Sequence, residues 1–120
     1  MEEITKRRAL LVIDKVKDGE GRFACKAVGI TLGVSKARAS VILHRLADEG
    51  YCRKGDCRDY ALLPKGAEQI RWLNARLRAL EQRLDWVGPK ARKELVWLLL
   101  THGSDELLSE FDKGKQKTVF

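Results

Sequence analysis

The sequence predicts a mainly α-helical fold that carries one small β-hairpin and ends in a long helix followed by terminal helices. Three observations point to it. Apolar residues recur at three- and four-residue spacing through most of the chain, the period of a helix with one buried face. Two short runs around a glycine-containing turn interrupt that period near the middle. Beyond them Ile70, Leu73, Leu77, Leu80, Leu84 and Val87 step alternately by three and four, the spacing of a heptad seam.

The chain has 120 residues, 44% of them hydrophobic and 34% charged, with only 2 prolines. That is a folded composition with room for about one domain of ordinary size, which excludes a multidomain enzyme. The longest apolar run, Leu95 to Leu100, is far short of the ~20 residues that cross a bilayer, so no membrane span is expected. Lys6, Arg7 and Arg8 precede any apolar stretch, unlike the layout of a secretory signal, and a cytoplasmic location is expected. Cys25, Cys52 and Cys57 make an odd number of thiols, expected reduced in that compartment. The formal charge of +7 favours polyanionic partners, nucleic acid first among them.

The first helix runs from Glu3 to Lys17 on Ala9, Val12, Ile13 and Val16, and Asp18-Gly19-Glu20-Gly21 ends it. A short second helix is expected from about Phe23 to Leu32, with Ala24, Ala27 and Gly29 small enough to admit a neighbouring helix closely. Gly33 interrupts it, and Ser35 is placed to cap the next helix. That third helix, Lys36 to Glu49, buries Ala39, Ile42, Leu43 and Leu46 and stops at Gly50. Lys36, Ala37, Ser40, Val41 and His44 turn to its opposite side, a face without acid, as if prepared for a partner.

Tyr51-Cys52-Arg53 and Arg58-Asp59-Tyr60-Ala61-Leu62 then form the hairpin, with Cys52 and Cys57 expected to face each other across it. Pro64 opens the long helix, which carries the seam until Gly88-Pro89 breaks it. Lys90 to His102 follows with Leu95, Leu98 and Leu99 inward, and Ser104 caps a last helix through Phe111. The end, from Lys113 to Thr118, is polar and expected to fray.

Helix, turn, helix, hairpin and long helix is the order of a winged helix-turn-helix domain. Leu32-Gly33-Val34-Ser35 resembles the Leu-Gly-Val-Ser turn of that family, and Gly50-Tyr51 falls where the family leaves its recognition helix for the wing. Tyr60-Ala61-Leu62-Leu63-Pro64-Lys65-Gly66 is similar to the Tyr-x-Leu-Thr-Pro-Lys-Gly segment of MarR-like and DtxR-like bacterial regulators. The resemblance covers residues 5–85. Gly29 replaces the usual Ala of the second helix, and Leu63 stands where Thr is frequent. More helix normally precedes this point in a MarR protein, and no Asp/Glu/His cluster follows the wing to hold the metal of a DtxR protein.

The resemblance implies a DNA-binding domain over residues 1–64 and a helical dimerisation extension over residues 65–120. In such a domain the third helix enters the major groove of double-stranded DNA. Lys36 is then placed for guanine or phosphate and Ser40 for a base edge. Ala37 and Val41 suit thymine methyls, and His44 a phosphate. Arg38 and Arg45 flank the face and suit backbone contacts. Arg53, Lys54 and Arg58 belong to the wing, and Arg22 and Lys26 could clamp the adjacent strand. One domain reads few base pairs, and a two-fold pair reads half-sites about 34 Å apart, so a homodimer through Ile70, Leu73, Leu77, Leu80, Leu84 and Val87 is expected. Trp72, Trp86 and Trp97 could help cover the joint.

No nucleophile with a base, no paired carboxylates in a cleft-forming context and no phosphate loop is recognisable, so neither enzyme activity nor a cofactor is expected. The cysteines lack a nearby histidine or fourth ligand and are poor zinc ligands. The expected function is sequence-specific DNA-binding transcription regulation, as a repressor that occludes a promoter. The alternative is a winged-helix adaptor that docks protein on the same helix face. Too few residues follow the wing for a separate ligand domain, so an effector is not specified.

Overall fold

The computed structural model describes residues 1–56 and 58–113. Among these residues, six helices and three short strands follow in the order α1 (Glu3–Val16), β1 (Arg22–Ala24), α2 (Cys25–Leu32), α3 (Lys36–Asp48), β2 (Cys52–Lys54), β3 (Asp59–Leu62), α4 (Pro64–Arg83), α5 (Pro89–His102) and α6 (Asp105–Lys113). The mainly helical class with a small wing is thus borne out, and the architecture is a winged helix-turn-helix with a helical extension. The chain divides into two compact units, Met1–Arg71 and Trp72–Phe120.

In the first unit, Leu10, Ile13, Val28, Leu43 and Leu46 are sealed from solvent and form the core of three helices. Gly29 lets two of them approach: a Cβ there would lie 3.2 Å from the Ala39 Cβ. The turn between α2 and α3 is built by local chemistry. Gly33 takes φ +75°, which side chains resist. Its N–H and that of Val34 return to Ile30 and Gly29 carbonyls at 3.1 and 3.0 Å, closing the last turn of α2. Ser35 Oγ accepts the Arg38 N–H at 3.1 Å and starts α3, as its position predicts. Gly50, at φ +86°, ends α3 in the same way, with the Tyr51 N–H bonded to the Leu46 carbonyl at 3.0 Å.

The sheet is antiparallel in the order β1-β3-β2. Residues 22–24 are therefore a strand, where a helix starting at Phe23 was expected. Phe23 stands opposite Tyr60, both are 4% exposed, and their rings stack with centroids 5.9 Å apart. A strand this short is specified by its partner more than by its own pattern. Asp18 prepares it: its Oδ1 accepts the Glu20 and Arg22 N–H groups, each at 2.9 Å. In β2, Cys52 stands opposite Leu62 rather than Cys57, which lies outside the described residues.

The second unit has its own buried set, Leu73, Ala79, Leu80, Leu84, Val96, Leu100 and Leu108. Two expectations are corrected here. The long helix ends at Arg83, before Gly88-Pro89, so Leu84 and Val87 lie past it, in a turn closed by the Val87 N–H on the Leu84 carbonyl at 3.0 Å. In α5 the inward residues are Val96, Leu100 and Thr101, while Leu98 is 49% exposed. Thr101 tolerates burial because its hydroxyl donates to the Trp97 carbonyl at 2.8 Å. Ser104 caps α6 as expected, accepting the Leu107 N–H at 3.1 Å.

Candidate nucleic-acid interface

The inward stripe of α3 fixes its outward face. With Ala39, Ile42, Leu43 and Leu46 buried, Lys36, Ala37, Arg38, Val41, His44 and Arg45 are exposed and Ser40 is half-buried. No carboxylate occurs between Lys36 and Ala47. The His44 ring nitrogen Nδ1 lies 3.0 Å from the Ser40 carbonyl. Since a carbonyl only accepts, Nδ1 carries the proton and Nε2 is left for a partner.

The charges of the first unit fall into two groups. One group, on and just past α1, is used internally: Lys6 and Arg7 pair with Glu3 at 2.9 and 3.0 Å, and Lys17 pairs with Asp14 at 3.5 Å. Arg7 is 1% exposed and so belongs to the core of the fold rather than to its surface. Burial opposes ionisation of Glu3, but the hydrogen bonds and charges of Lys6 and Arg7 outweigh it and hold its carboxyl below the ordinary value of 4.5. By contrast Lys36, Arg38, Arg45, Arg53, Lys54 and Arg58 are exposed and enter no salt bridge among the described residues.

The wing and β1 place the remaining cations. Arg53 and Lys54 lie on β2, and Arg58 follows the turn at φ +68°, a left-handed conformation unusual for a residue with a side chain. Arg22 lies on β1 rather than at a helix start, and Lys26 is exposed in the first turn of α2. Arg22, Arg53, Lys54 and Asp59 line a cleft of about 280 Å³ beside Gly55, Asp56, Tyr60 and Ala61. Of the predicted set, the structure thus brings Arg22 together with the wing and gathers the α3 residues on one face.

Sequence reasoning missed Arg8. It is exposed on α1, and with Thr5 it lines a small cleft of about 70 Å³ whose other walls are Leu32, Val34, Arg38 and Ile42. Adjacent arginines 7 and 8 have opposite fates, one buried and one exposed, and tertiary packing rather than local sequence decides which one turns out. Ile30, 70% exposed near the end of α2, was also unassigned.

The seam residues are placed differently from the cations. Ile70, Leu73, Leu80 and Leu84 are buried within the single chain, and Leu77 and Val87 are half-buried. Among the described residues of the second unit, the exposed large apolar side chains are Trp86 at 78%, Leu98 at 49% and Leu107 at 42%. Cys52 is buried, and desolvation pushes its thiol up to about 11, which leaves it protonated and unreactive at neutral pH. No cluster of three or more His, Cys, Asp or Glu suited to a metal occurs among the described residues. No described helix is long and apolar enough to cross a membrane.

No family model matches the chain, and no curated protein matches it. Among solved structures, E. coli McbR/YncC is similar at 15% identity and a TM-score of 0.38, over 94% of this chain and 70% of that one.

Proposed function

We propose that the chain binds double-stranded DNA sequence-specifically and regulates transcription as a homodimer, repressing by occlusion of a promoter. Residues 1–64 read the DNA and residues 65–120 join the subunits. The observation that carries this reading is the outward face of α3, where Lys36, Arg38 and Arg45 stand exposed and unbridged around Ala37, Ser40 and Val41. Exposed cations that have no partner in their own fold are what a phosphate backbone neutralises, and small polar and methyl-bearing groups between them suit base edges. Arg53, Lys54 and Arg58 extend the same charge to the wing, and Arg22, Lys26 and Arg8 flank it. Because most of the seam is spent on the chain's own core, the exposed Trp86, Leu98 and Leu107 are the groups a second subunit would cover.

A mobility-shift titration against genomic fragments selected for binding tests the DNA reading. Lys36→Ala and Arg38→Ala are each expected to weaken binding about tenfold, or ~1.4 kcal/mol, and to lower the salt slope by roughly one. Unchanged affinity in both variants rejects the assignment of α3. In sedimentation, Trp86→Glu and Leu98→Glu together are expected to leave a folded monomer, and a persisting dimer moves the interface elsewhere.

One observation favours the adaptor reading as well: Ile30 is 70% and Val41 44% exposed, apolar area that a protein partner would bury. Salt separates the two, since a contact built on those side chains is insensitive to ionic strength and a phosphate contact is not.

A further inference from the structure

We propose that the outer face of the small sheet is a phosphate seat for the bound duplex, with Arg22 and Arg53 as its walls and Ala61 as its floor. The inference rests on the DNA-binding reading above and adds a contact surface distinct from the reading helix and the wing tip.

The register places the three residues in one row. Arg22 pairs with Ala61 on one side of β3, and Arg53 pairs with Ala61 on the other. Directly paired residues project to the same face of a sheet, so both arginines rise from the face that bears Ala61. The opposite face carries Phe23, Tyr60 and Cys52, at 4%, 4% and 1% exposure, and is the buried one. The row of two arginines therefore points to solvent. Its outer members are two strand spacings apart, about 10 Å between backbones. The central methyl fills little of that gap, and a cleft of about 280 Å³ opens there. Two forked guanidiniums that flank a small floor suit the oxygens of a phosphate.

The backbone that carries Arg22 is fixed before any ligand arrives. The Arg22 N–H is held by Asp18 Oδ1 at 2.9 Å, and the neighbouring Gly21 carbonyl accepts the Leu62 N–H at 2.9 Å. Neither guanidinium enters a salt bridge among the described residues. Lys54 pairs with Tyr60, so its side chain leaves the sheet on the opposite face and adds no cation to the row, while Asp56 and Asp59 also line the cleft. Those carboxylates disfavour a free, fully charged small anion more than a backbone phosphate, which approaches from one side with a single negative charge.

The test uses the full chain and a fluorescent duplex of about 30 base pairs, selected for binding from random sequence, beside a shuffled duplex. Arg22→Ala, Arg53→Ala and Ala61→Glu are compared with Lys36→Ala, with circular dichroism as the control for folding. Each seat variant is expected to weaken binding three- to tenfold on both duplexes alike, because phosphate contacts carry no sequence information. Each arginine variant is also expected to lower the salt slope by roughly one, and Arg22→Lys and Arg53→Lys to restore the slope but only part of the affinity. If Lys36→Ala loses binding while the seat variants keep wild-type affinity and slope, the seat is overturned and the reading of α3 stands. If the wild type binds no duplex, both fall. If the seat variants weaken binding and about 1 mM inorganic phosphate displaces nothing from the wild-type duplex complex, the source is the DNA backbone. Saturable binding of inorganic phosphate at that concentration, lost in Arg22→Ala and Arg53→Ala, makes the cleft a small-anion site and overturns the assignment to duplex.

Discussion

Replacing Gly66 with Ala is expected to destabilise the first unit by about 2 kcal/mol, and the reason is visible in three atoms. A Cβ at Gly66 would fall on the Tyr51 carbonyl oxygen, well inside contact, and 2.6 Å from Leu62 Cδ1. The leucine methyl can swing away. The carbonyl cannot, because it accepts the Leu63 N–H at 3.0 Å where the wing meets α4. The first turn of α4 must therefore retreat by roughly an ångström to regain ordinary contact. Forced overpacking of this kind costs ~1–3 kcal/mol, and the strained hydrogen bond adds ~0.5–1.5. Alanine's better helix propensity returns ~1 kcal/mol. At ~4–8 °C per kcal/mol for a unit of this size, Tm should fall by about 10 °C. Gly29→Ala is the control, since its new Cβ meets the Ala39 Cβ at 3.2 Å, a conflict that a few tenths of an ångström relieve. That variant should stay within ~1 kcal/mol of the parent. Urea and thermal unfolding measure both, and a Gly66→Ala protein as stable as the Gly29→Ala protein refutes the reasoning.

Ser35→Ala removes the acceptor for the Arg38 N–H and should cost ~1 kcal/mol in urea unfolding, with a matching loss of helicity at the start of α3. Glu3 has a folded pKa below its unfolded value, so its stabilisation is present above about pH 4.5 and disappears as pH falls through the folded pKa. The Tm gap between the wild type and Glu3→Gln, measured from pH 7 to pH 3, should therefore narrow as pH falls below about 4.5, and a gap that stays constant over the whole range contradicts the ion pairs with Lys6 and Arg7. Iodoacetamide at pH 8 should leave Cys52 unmodified in the folded protein and alkylate it after unfolding, as peptide mapping would reveal. Arg58→Gly should relieve the positive φ and gain up to ~1 kcal/mol of stability while it weakens DNA binding, opposite signs that separate strain from function.

What was legible in the sequence was local chemistry. Gly33, Ser35 and Gly50 each perform a task that their own backbone or side chain specifies, and the structure puts all three where that chemistry requires. The α3 face was legible for the same reason, because four apolar residues at helical spacing fix the direction of everything else on that helix. The misses are long-range. Arg22–Ala24 becomes a strand only because β3 lies beside it, and nothing within three residues encodes a partner that arrives at Asp59. In α5 the run from Leu95 to Leu100 is apolar all round, so its period does not choose between Leu98 and Leu100, and tertiary packing does. The heptad seam has the same ambiguity: its spacing demands burial without saying whether the cover comes from this chain or another, and Leu73, Leu80 and Leu84 take it from their own. Arg22 illustrates the consequence for the candidate site, since its pairing across Ala61 with Arg53 exists only in the register of three strands.

The two parts of the proposed interface, reading helix and wing, are held to each other at one tyrosine. Tyr51 follows α3 and is 7% exposed. Lys65, from the first turn of α4, places its Nζ 4.6 Å from the ring centre and donates to the Glu49 carbonyl at 2.6 Å, so it both covers the ring and satisfies the end of α3. Lys6, from α1, donates to the Tyr51 hydroxyl at 3.2 Å. The Tyr51 carbonyl bonds Leu63 at the exit of the wing. Contacts from α1, α3, the wing and α4 therefore converge on one residue, and none of them uses a side chain of the exposed cationic face. This division explains why Lys6 and Lys65 have partners while Lys36, Arg38, Arg53 and Lys54 enter no salt bridge among the described residues. The first set fixes the angle between helix and wing, and the second is the set that the proposed DNA contact would use.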